Sequence, residues 1–190
     1  MRSGIIGLVE TKSQDWKLSG PFRPGWLATV LTLLLSGCGE EINSAARGYE
    51  RHLAGDFTAA RIIWSAGAAQ DDDLSLYYLG RIHDIGEGVA QDYEKAVEYY
   101  RRSAQLGSPY AQGSLAVLYA YGKGVPRDFV KSYAYSTLAA EGYSRWASDQ
   151  REAALRNRDL VSTRMSRAEI VAAQRLATRL VGRPLEGTAD

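Results

Sequence analysis

Apolar residues recur with helical spacing between Asp92 and Ala104. Ala96, Tyr100 and Ala104 lie at i, i+4 and i+8, which places all three on one face of an α-helix. Asp92 is a favourable N-cap, and Gly107 has the conformational freedom that a helix stop requires. The pattern therefore predicts a helix that begins after Asp92, ends before Gly107 and buries one apolar face.

A second helix is predicted directly after the first. Ser108 supplies an N-cap, and Pro109 suits the first helical turn because the backbone N–H that it lacks has no partner there. Gly122, in the string G-K-G-V-P, ends this helix. The buried side of the second helix is predicted to carry Leu115, Leu118 and Tyr119.

This pair of helices recurs along the chain with a period of 36 residues. Asp56, Asp92 and Asp128 keep that spacing, and each is followed by an aromatic residue. Further positions that match at this spacing are Ala60, Ala96 and Ser132; Trp64, Tyr100 and Ser136; and Leu79 and Leu115. One pair cannot bury its own apolar face, so successive pairs must stack. The predicted fold class is all-α, a short right-handed α-solenoid of stacked antiparallel helix pairs.

Two stretches of the chain resemble a known repeat family. Residues 76–96, L-Y-Y-L-G-R-I-H-D-I-G-E-G-V-A-Q-D-Y-E-K-A, and residues 115–132, L-A-V-L-Y-A-Y-G-K-G-V-P-R-D-F-V-K-S, are similar to Sel1-like repeats. The G-x-G-V turn and the period of 36 distinguish them from the related 34-residue tetratricopeptide unit. The resemblance implies clear repeats at 73–108 and 109–143, with degenerate helices before and after them, in a solenoid domain that spans 44–190.

Two further helices are predicted after the second clear repeat. The first spans 143–157. The second begins at the capping-box pattern Ser166-Arg-Ala-Glu169 and spans 166–182. One face of this last helix carries Ile170, Ala173, Leu176, Ala177 and Leu180. The last helix is predicted to cap the end of the solenoid.

The N-terminal region has the features of an export signal. The ten-residue apolar run 26–35 is too short to span a membrane, which takes about 20 residues, but it has the length of a signal-peptide core. The following L-S-G-C, which ends at Cys38, resembles the lipobox of bacterial lipoproteins. The resemblance implies a signal peptide over 1–37, a lipid on Cys38 and a tether over 38–43. The 25 residues before the run exceed the usual length, which leaves two alternatives: an unusual n-region or a downstream start.

The residue after the lipobox and the composition limit the location and the cofactors. Gly39 stands where an Asp favours inner-membrane retention in Gram-negative lipoproteins, so the resemblance implies a periplasm-facing protein anchored in the outer membrane. A single cysteine excludes an internal disulfide and a cysteine-built zinc site. His52 and His83 are too few for an imidazole cluster, and no metal or cofactor is predicted. The formal net charge of +1 argues against a nucleic-acid partner.

The predicted function is protein–protein interaction, as an adaptor in a bacterial cell-envelope complex. Tetratricopeptide packing, applied by analogy, places the first helix of each pair along the concave side of the stack. Exposed Tyr, Trp and Arg are common anchors of binding surfaces, although the same aromatic residues could pack as core. The candidate partner-binding residues are Tyr77, Arg81, Asp84, Tyr110, Val117, Trp146 and Asp149.

Two alternatives and one assembly question stay open at this stage. A periplasmic hydrolase acting on peptidoglycan or a related substrate would need titratable groups that converge on one site. His83, Asp84 and Glu87 lie close together in sequence and are the candidates for such a set. His83 stands where the next repeat has Tyr119, which favours a packing role. No catalytic residue is therefore assigned. A structural spacer without a dedicated ligand is the other alternative, and two clear repeats leave room for a homo-oligomer.

Overall fold

The computed structural model describes residues 43–181, and this part of the chain forms eight α-helices. They are α1 (Ser44–Leu53), α2 (Phe57–Ala68), α3 (Asp73–Ile85), α4 (Tyr93–Gln105), α5 (Pro109–Tyr121), α6 (Phe129–Gly142), α7 (Ser148–Ser162) and α8 (Arg167–Val181). The predicted all-α class is confirmed. The predicted signal peptide and Cys38 lie outside the described residues. None of the eight helices has the length and apolarity needed to cross a membrane.

The 36-residue period sets where the second helix of each pair begins. The Oδ1 atoms of Asp56, Asp92 and Asp128 accept hydrogen bonds from the backbone N–H three residues further on, at 3.0, 3.0 and 2.9 Å. These contacts satisfy N–H groups that the first turn of a helix leaves without a partner. The three repeated aspartates therefore fix the starts of α2, α4 and α6.

Glycines end the first helices of the two clear repeats. Gly86 after α3 and Gly122 after α5 adopt the left-handed conformation, with φ of 74° and 70°. Their N–H groups donate to the carbonyls of Ile82 and Leu118 at 3.0 and 2.8 Å. A residue with a Cβ would be strained at this φ, so the G-x-G-V turn has a backbone cause.

From α1 to α7 each helix packs against the next along the chain, and α8 packs against α6. Ala60, Ala96 and Ser132 are completely buried at equivalent positions in α2, α4 and α6. These small side chains allow neighbouring helices to approach closely. The predicted core residues Leu79, Leu115, Leu118 and Tyr119 are all buried, with exposed fractions between 0% and 4%.

The helix predicted over 143–157 is wrong at its start. Helix α6 continues to Gly142, Tyr143 adopts an extended backbone conformation, and α7 begins only at Ser148. The Tyr143 side chain packs against α5 and beside Ala154 of α7. A Cβ placed on Gly113 would lie 2.9 Å from the Tyr143 hydroxyl. This tertiary contact has no signal in the local sequence.

The last helix begins with the predicted capping box. The N–H and Oγ of Ser166 donate to Glu169 Oε2 at 2.7 and 2.8 Å, and the Glu169 N–H donates back to Ser166 Oγ at 3.3 Å. These hydrogen bonds lower the pKa of the Glu169 carboxyl. Helix α8 buries Ala173 and Ala177, and its face packs against α6.

Candidate partner-binding groove

A groove of about 330 Å³ lies between α5 and α7, above α6. Tyr77 of α3 and Tyr143 at the end of α6 stand at its edges. We use the term groove for the cavity lined by these two residues and by Tyr110, Gly113, Ser114, Ala116, Val117, Ser136, Gln150, Ala153, Ala154 and Asn157. The walls are thus α5 and α7, the first helices of two consecutive pairs. The floor is α6, the second helix of the pair that α5 begins.

A row of aromatic rings leads into the groove from the first helices. The ring of Trp64 stacks on Tyr78 at 4.9 Å between centroids, and Tyr78 lies 5.3 Å from Tyr77. Tyr77 lies 5.5 Å from Tyr110, whose ring meets Tyr143 edge to face at 5.3 Å. These separations are in the favourable range for aromatic pairs. The row holds the groove tyrosines in fixed positions.

The floor of the groove carries a small side chain where the two preceding helix pairs have an aromatic one. Trp64 and Tyr100 fill this position in those pairs, and each is 1% exposed. Ser136 takes the same position in α6 and is completely buried. The Asn157 side chain donates from Nδ2 to Ser136 Oγ at 2.7 Å and so covers it.

Burial raises the pKa of two groove tyrosines, Tyr77 and Tyr143. Burial, followed by the neighbouring Tyr77 and Tyr110, raises the pKa of Tyr143 to about 12. Burial also raises the pKa of Tyr77, although the Arg81 guanidinium opposes the shift. Each hydroxyl can therefore donate or accept a hydrogen bond beside an apolar ring, which suits recognition of a partner with mixed polarity.

The structure brings three of the seven predicted binding residues into the groove. Tyr77, Tyr110 and Val117 line it, and Val117 is 43% exposed. Arg81 and Asp84 lie about one and two turns beyond Tyr77 along α3 and do not line the groove. Asp84 instead accepts a hydrogen bond from the Tyr100 hydroxyl at 3.2 Å, and burial raises the pKa of its carboxyl.

Trp146 and Asp149 do not line the groove. Trp146 is 85% exposed on the turn before α7, where the Arg145 guanidinium lies 5.2 Å from its ring. Asp149 is exposed in the first turn of α7 and accepts from the Ser148 hydroxyl at 3.2 Å. Their binding of a partner stays a prediction.

The lining residues that sequence reasoning missed include Tyr143, Ser136, Gln150 and Asn157. One signal was present. The series Trp64, Tyr100, Ser136 at the 36-residue period shows a large side chain replaced by a small one, which indicates different packing in that copy. The remaining three depend on where α7 begins, which the sequence pattern placed incorrectly.

The titratable groups considered for catalysis have separate neighbours. His83 is 8% exposed and stacks on Tyr99 with 5.8 Å between ring centroids, as its predicted packing role requires. Burial and the nearby Lys95 lower its pKa. Glu87 lies 3.5 Å from His52, whereas Asp84 bonds to Tyr100. The three groups therefore do not converge on one reacting position.

The acidic triplet that precedes α3 is engaged in local structure. Asp71 pairs with Arg102 at 3.2 Å, and Asp72 accepts from the Ser75 hydroxyl at 2.5 Å. Among residues 43–181, no three His, Cys, Asp or Glu side chains are grouped as a metal site would require.

Helical pairs with this packing and this glycine turn define a class of helical repeat protein. Residues 73–108 and 109–144 each match the Sel1 repeat model. The centre of the chain therefore contains two consecutive Sel1 repeats. Repeats of this type typically serve as protein-interaction modules and are generally non-catalytic.

Two solved structures share this architecture. One is a protective antigen present in uropathogenic Escherichia coli strains and displaying an SLR fold, with a TM-score of 0.65, 21% identity, and coverage of 77% of this chain and 34% of the other. The second is a Sel1 repeat protein from Oxalobacter formigenes, with a TM-score of 0.51, 26% identity, and coverage of 56% and 44%. The present chain thus spans less than half the length of either. No curated protein matches it in sequence.

Proposed function

We propose that this chain is a protein-interaction module of the bacterial cell envelope that binds a partner segment in the groove. The groove is the observation that carries the proposal. It combines three tyrosine rings, an exposed Val117 and the small residues Gly113 and Ala153. Its volume is within the range of about 300–1,000 Å³ that is usual for ligand sites.

The chemistry of the lining favours a protein segment as the occupant. Tyrosine is enriched among residues that dominate binding energy because it offers a large apolar face, a polar tip and few rotatable bonds. Val117 and Ala153 provide apolar contact between the tyrosines and the opposite wall. A segment with alternating apolar and polar side chains would bury the former and bond to the hydroxyls.

The location in the envelope rests on the sequence alone. The apolar run 26–35 and the L-S-G-C string support export and lipid attachment at Cys38, with the outer membrane as the expected destination. Metabolic labelling with an alkyne fatty acid tests this directly. Wild type should carry the label and Cys38→Ser should not. A labelled Cys38→Ser variant would contradict the assignment.

Crosslinking in native cells tests the interaction function. Val117→Asp places a charge in the apolar part of the groove at a position that is 43% exposed. Val171→Asp in α8, where the side chain is 39% exposed, is the matched control. A partner should be captured by wild type and by Val171→Asp but lost with Val117→Asp. Equal capture by both variants would contradict binding in the groove.

A further inference from the structure

A second hollow of about 160 Å³ lies between the C-terminal ends of α5 and α7. Asn157 lines both this hollow and the groove, so the two lie next to each other along α5 and α7. We call this second hollow the arginine hollow. The residues that define it are Tyr121, Arg127, Phe129, Leu160, Val161 and Arg164.

The arginine hollow carries two cations without an acidic partner. Arg127 and Arg164 form no ion pair within residues 43–181, whereas Arg102, Arg156 and Arg158 each do. No acidic side chain of the described residues lines the hollow. The nearest acid in sequence, Asp128, caps α6 and lies 3.5 Å from the Lys131 ammonium.

The walls around the two guanidinium groups are apolar. Tyr121 is 66% exposed and Leu160 is 56% exposed, which leaves two large apolar side chains in contact with water. The Arg127 guanidinium lies 5.4 Å from the Phe129 ring centroid, which holds the cation against this apolar wall. A free anion would neutralise the charges but leave the apolar walls uncovered. A carboxylate beside an apolar side chain would satisfy both.

The distance from the groove tyrosines to the arginine hollow fits a short extended segment. From Tyr110 to Tyr121 the helix α5 rises by about 16 Å, at about 1.5 Å per residue. An extended chain covers that distance in about five residues, at about 3.3 Å each. One segment can thus lie on the groove tyrosines at one end and reach the arginine hollow at the other.

We infer that the partner is an extended segment of another protein with an Asp or Glu side chain that pairs with Arg127 and Arg164. An apolar side chain next to that acid covers Tyr121 and Leu160, and the rest of the segment follows the groove. This inference rests on the proposed function and adds the chemistry of the partner. Arginine suits the role because its planar group donates two parallel hydrogen bonds to one carboxylate.

Selection from a random nonapeptide library tests the inference without a known partner. The peptides are displayed by fusion at their C-termini, so that the carboxylates they offer come from Asp and Glu side chains. Selection against the full chain should enrich an acid adjacent to an aromatic or aliphatic residue. An enriched peptide, acetylated and amidated, then serves as the probe in fluorescence anisotropy titrations.

Arg127→Gln and Arg164→Gln should each weaken binding of the probe about tenfold, as expected when one partner of a charge-assisted hydrogen bond is removed. Replacing the acid of the probe by its amide should have a similar effect, and the protein and probe changes should not add. Arg175→Gln, at an exposed position of α8, is the control and should bind normally. Raising the salt concentration from 0.1 to 1 M should weaken binding of the acidic probe but not of its amide form. The reason is that the Debye screening length shortens from about 10 to about 3 Å.

The outcomes separate the inference from the proposed function. Probes that lose binding with Val117→Asp but tolerate both arginine variants would overturn the arginine inference and leave the groove proposal in place. Enrichment of basic or uncharged peptides would do the same. Failure to enrich any peptide whose binding depends on Val117 would overturn both.

Discussion

Gly80 lies in the interior of α3, where it faces the ring of Tyr100 from α4. A Cβ placed on Gly80 would lie 2.6 and 2.7 Å from two carbon atoms of that ring. Favourable carbon contacts are about 3.5–4.0 Å, so the overlap approaches 1 Å. Tyr100 is only 1% exposed and has no free space into which it can move. We therefore expect Gly80→Ala to destabilise the fold although alanine favours helices.

Two opposing terms give the magnitude. Replacing glycine by alanine in a helix stabilises by about 1 kcal/mol. Overpacking a buried site costs about 1–3 kcal/mol, and the size of this overlap places it near the upper end. The expected net loss is about 2 kcal/mol in the free energy of unfolding. Urea unfolding of the full chain, followed by far-UV circular dichroism, measures this loss.

The same Gly80→Ala substitution in a variant without the Tyr100 ring tests whether the close contact causes the loss of stability. Ala116 and Ser136 occupy the equivalent positions of the next repeat, so alanine is compatible with serine opposite. In a Tyr100→Ser background, Gly80→Ala should become stabilising by about 1 kcal/mol. The exposed Ala172→Gly in α8 calibrates the helix contribution. The close contact would be refuted if Gly80→Ala changed stability by the same amount, and in the same direction, in both backgrounds.

Two further predictions concern stability. Leu115→Ala, at a completely buried position, should cost about 2–5 kcal/mol in urea unfolding, whereas the half-exposed Val117→Ala on the same helix should cost less than about 1 kcal/mol; similar losses would contradict the assigned faces of α5. The folded pKa of Tyr143, about 12, lies above its ordinary value of 10.0, so its contribution to stability is present below pH 10 and is lost as the pH rises towards 12. Tyr143→Phe should therefore reduce the loss of stability measured between pH 10 and 12, and the exposed Tyr121→Phe should leave it unchanged; equal curves for wild type and Tyr143→Phe would contradict the assignment.

The helices could be predicted from the sequence because their signals are local. Asp92 and Asp128 cap their own helices, and Gly86 and Gly122 end theirs, through contacts within a few residues. The start of α7 could not be predicted, because the side chain of Tyr143 in the turn before it packs on α5, some thirty residues earlier.

The candidate site divides in the same way. Tyr77, Tyr110 and Val117 could be placed on one side because they lie in the first helices of the two clear repeats. Trp146 and Asp149 do not line the groove, and their position depended on the start of α7. Arg127 and Arg164 come from a turn after α5 and a turn after α7, and no sequence spacing brings them together.

The sequence by itself determined the helix class, the repeat and most of the core, since capping, glycine turns and apolar periodicity act between near neighbours. Tertiary structure alone decided which surface is open. The groove lies where α6 presents Ser136 in place of the Trp64 and Tyr100 of the earlier copies, and where α7 covers Ser136 through the hydrogen bond from Asn157. The volume left between three packed helices depends on all of them together.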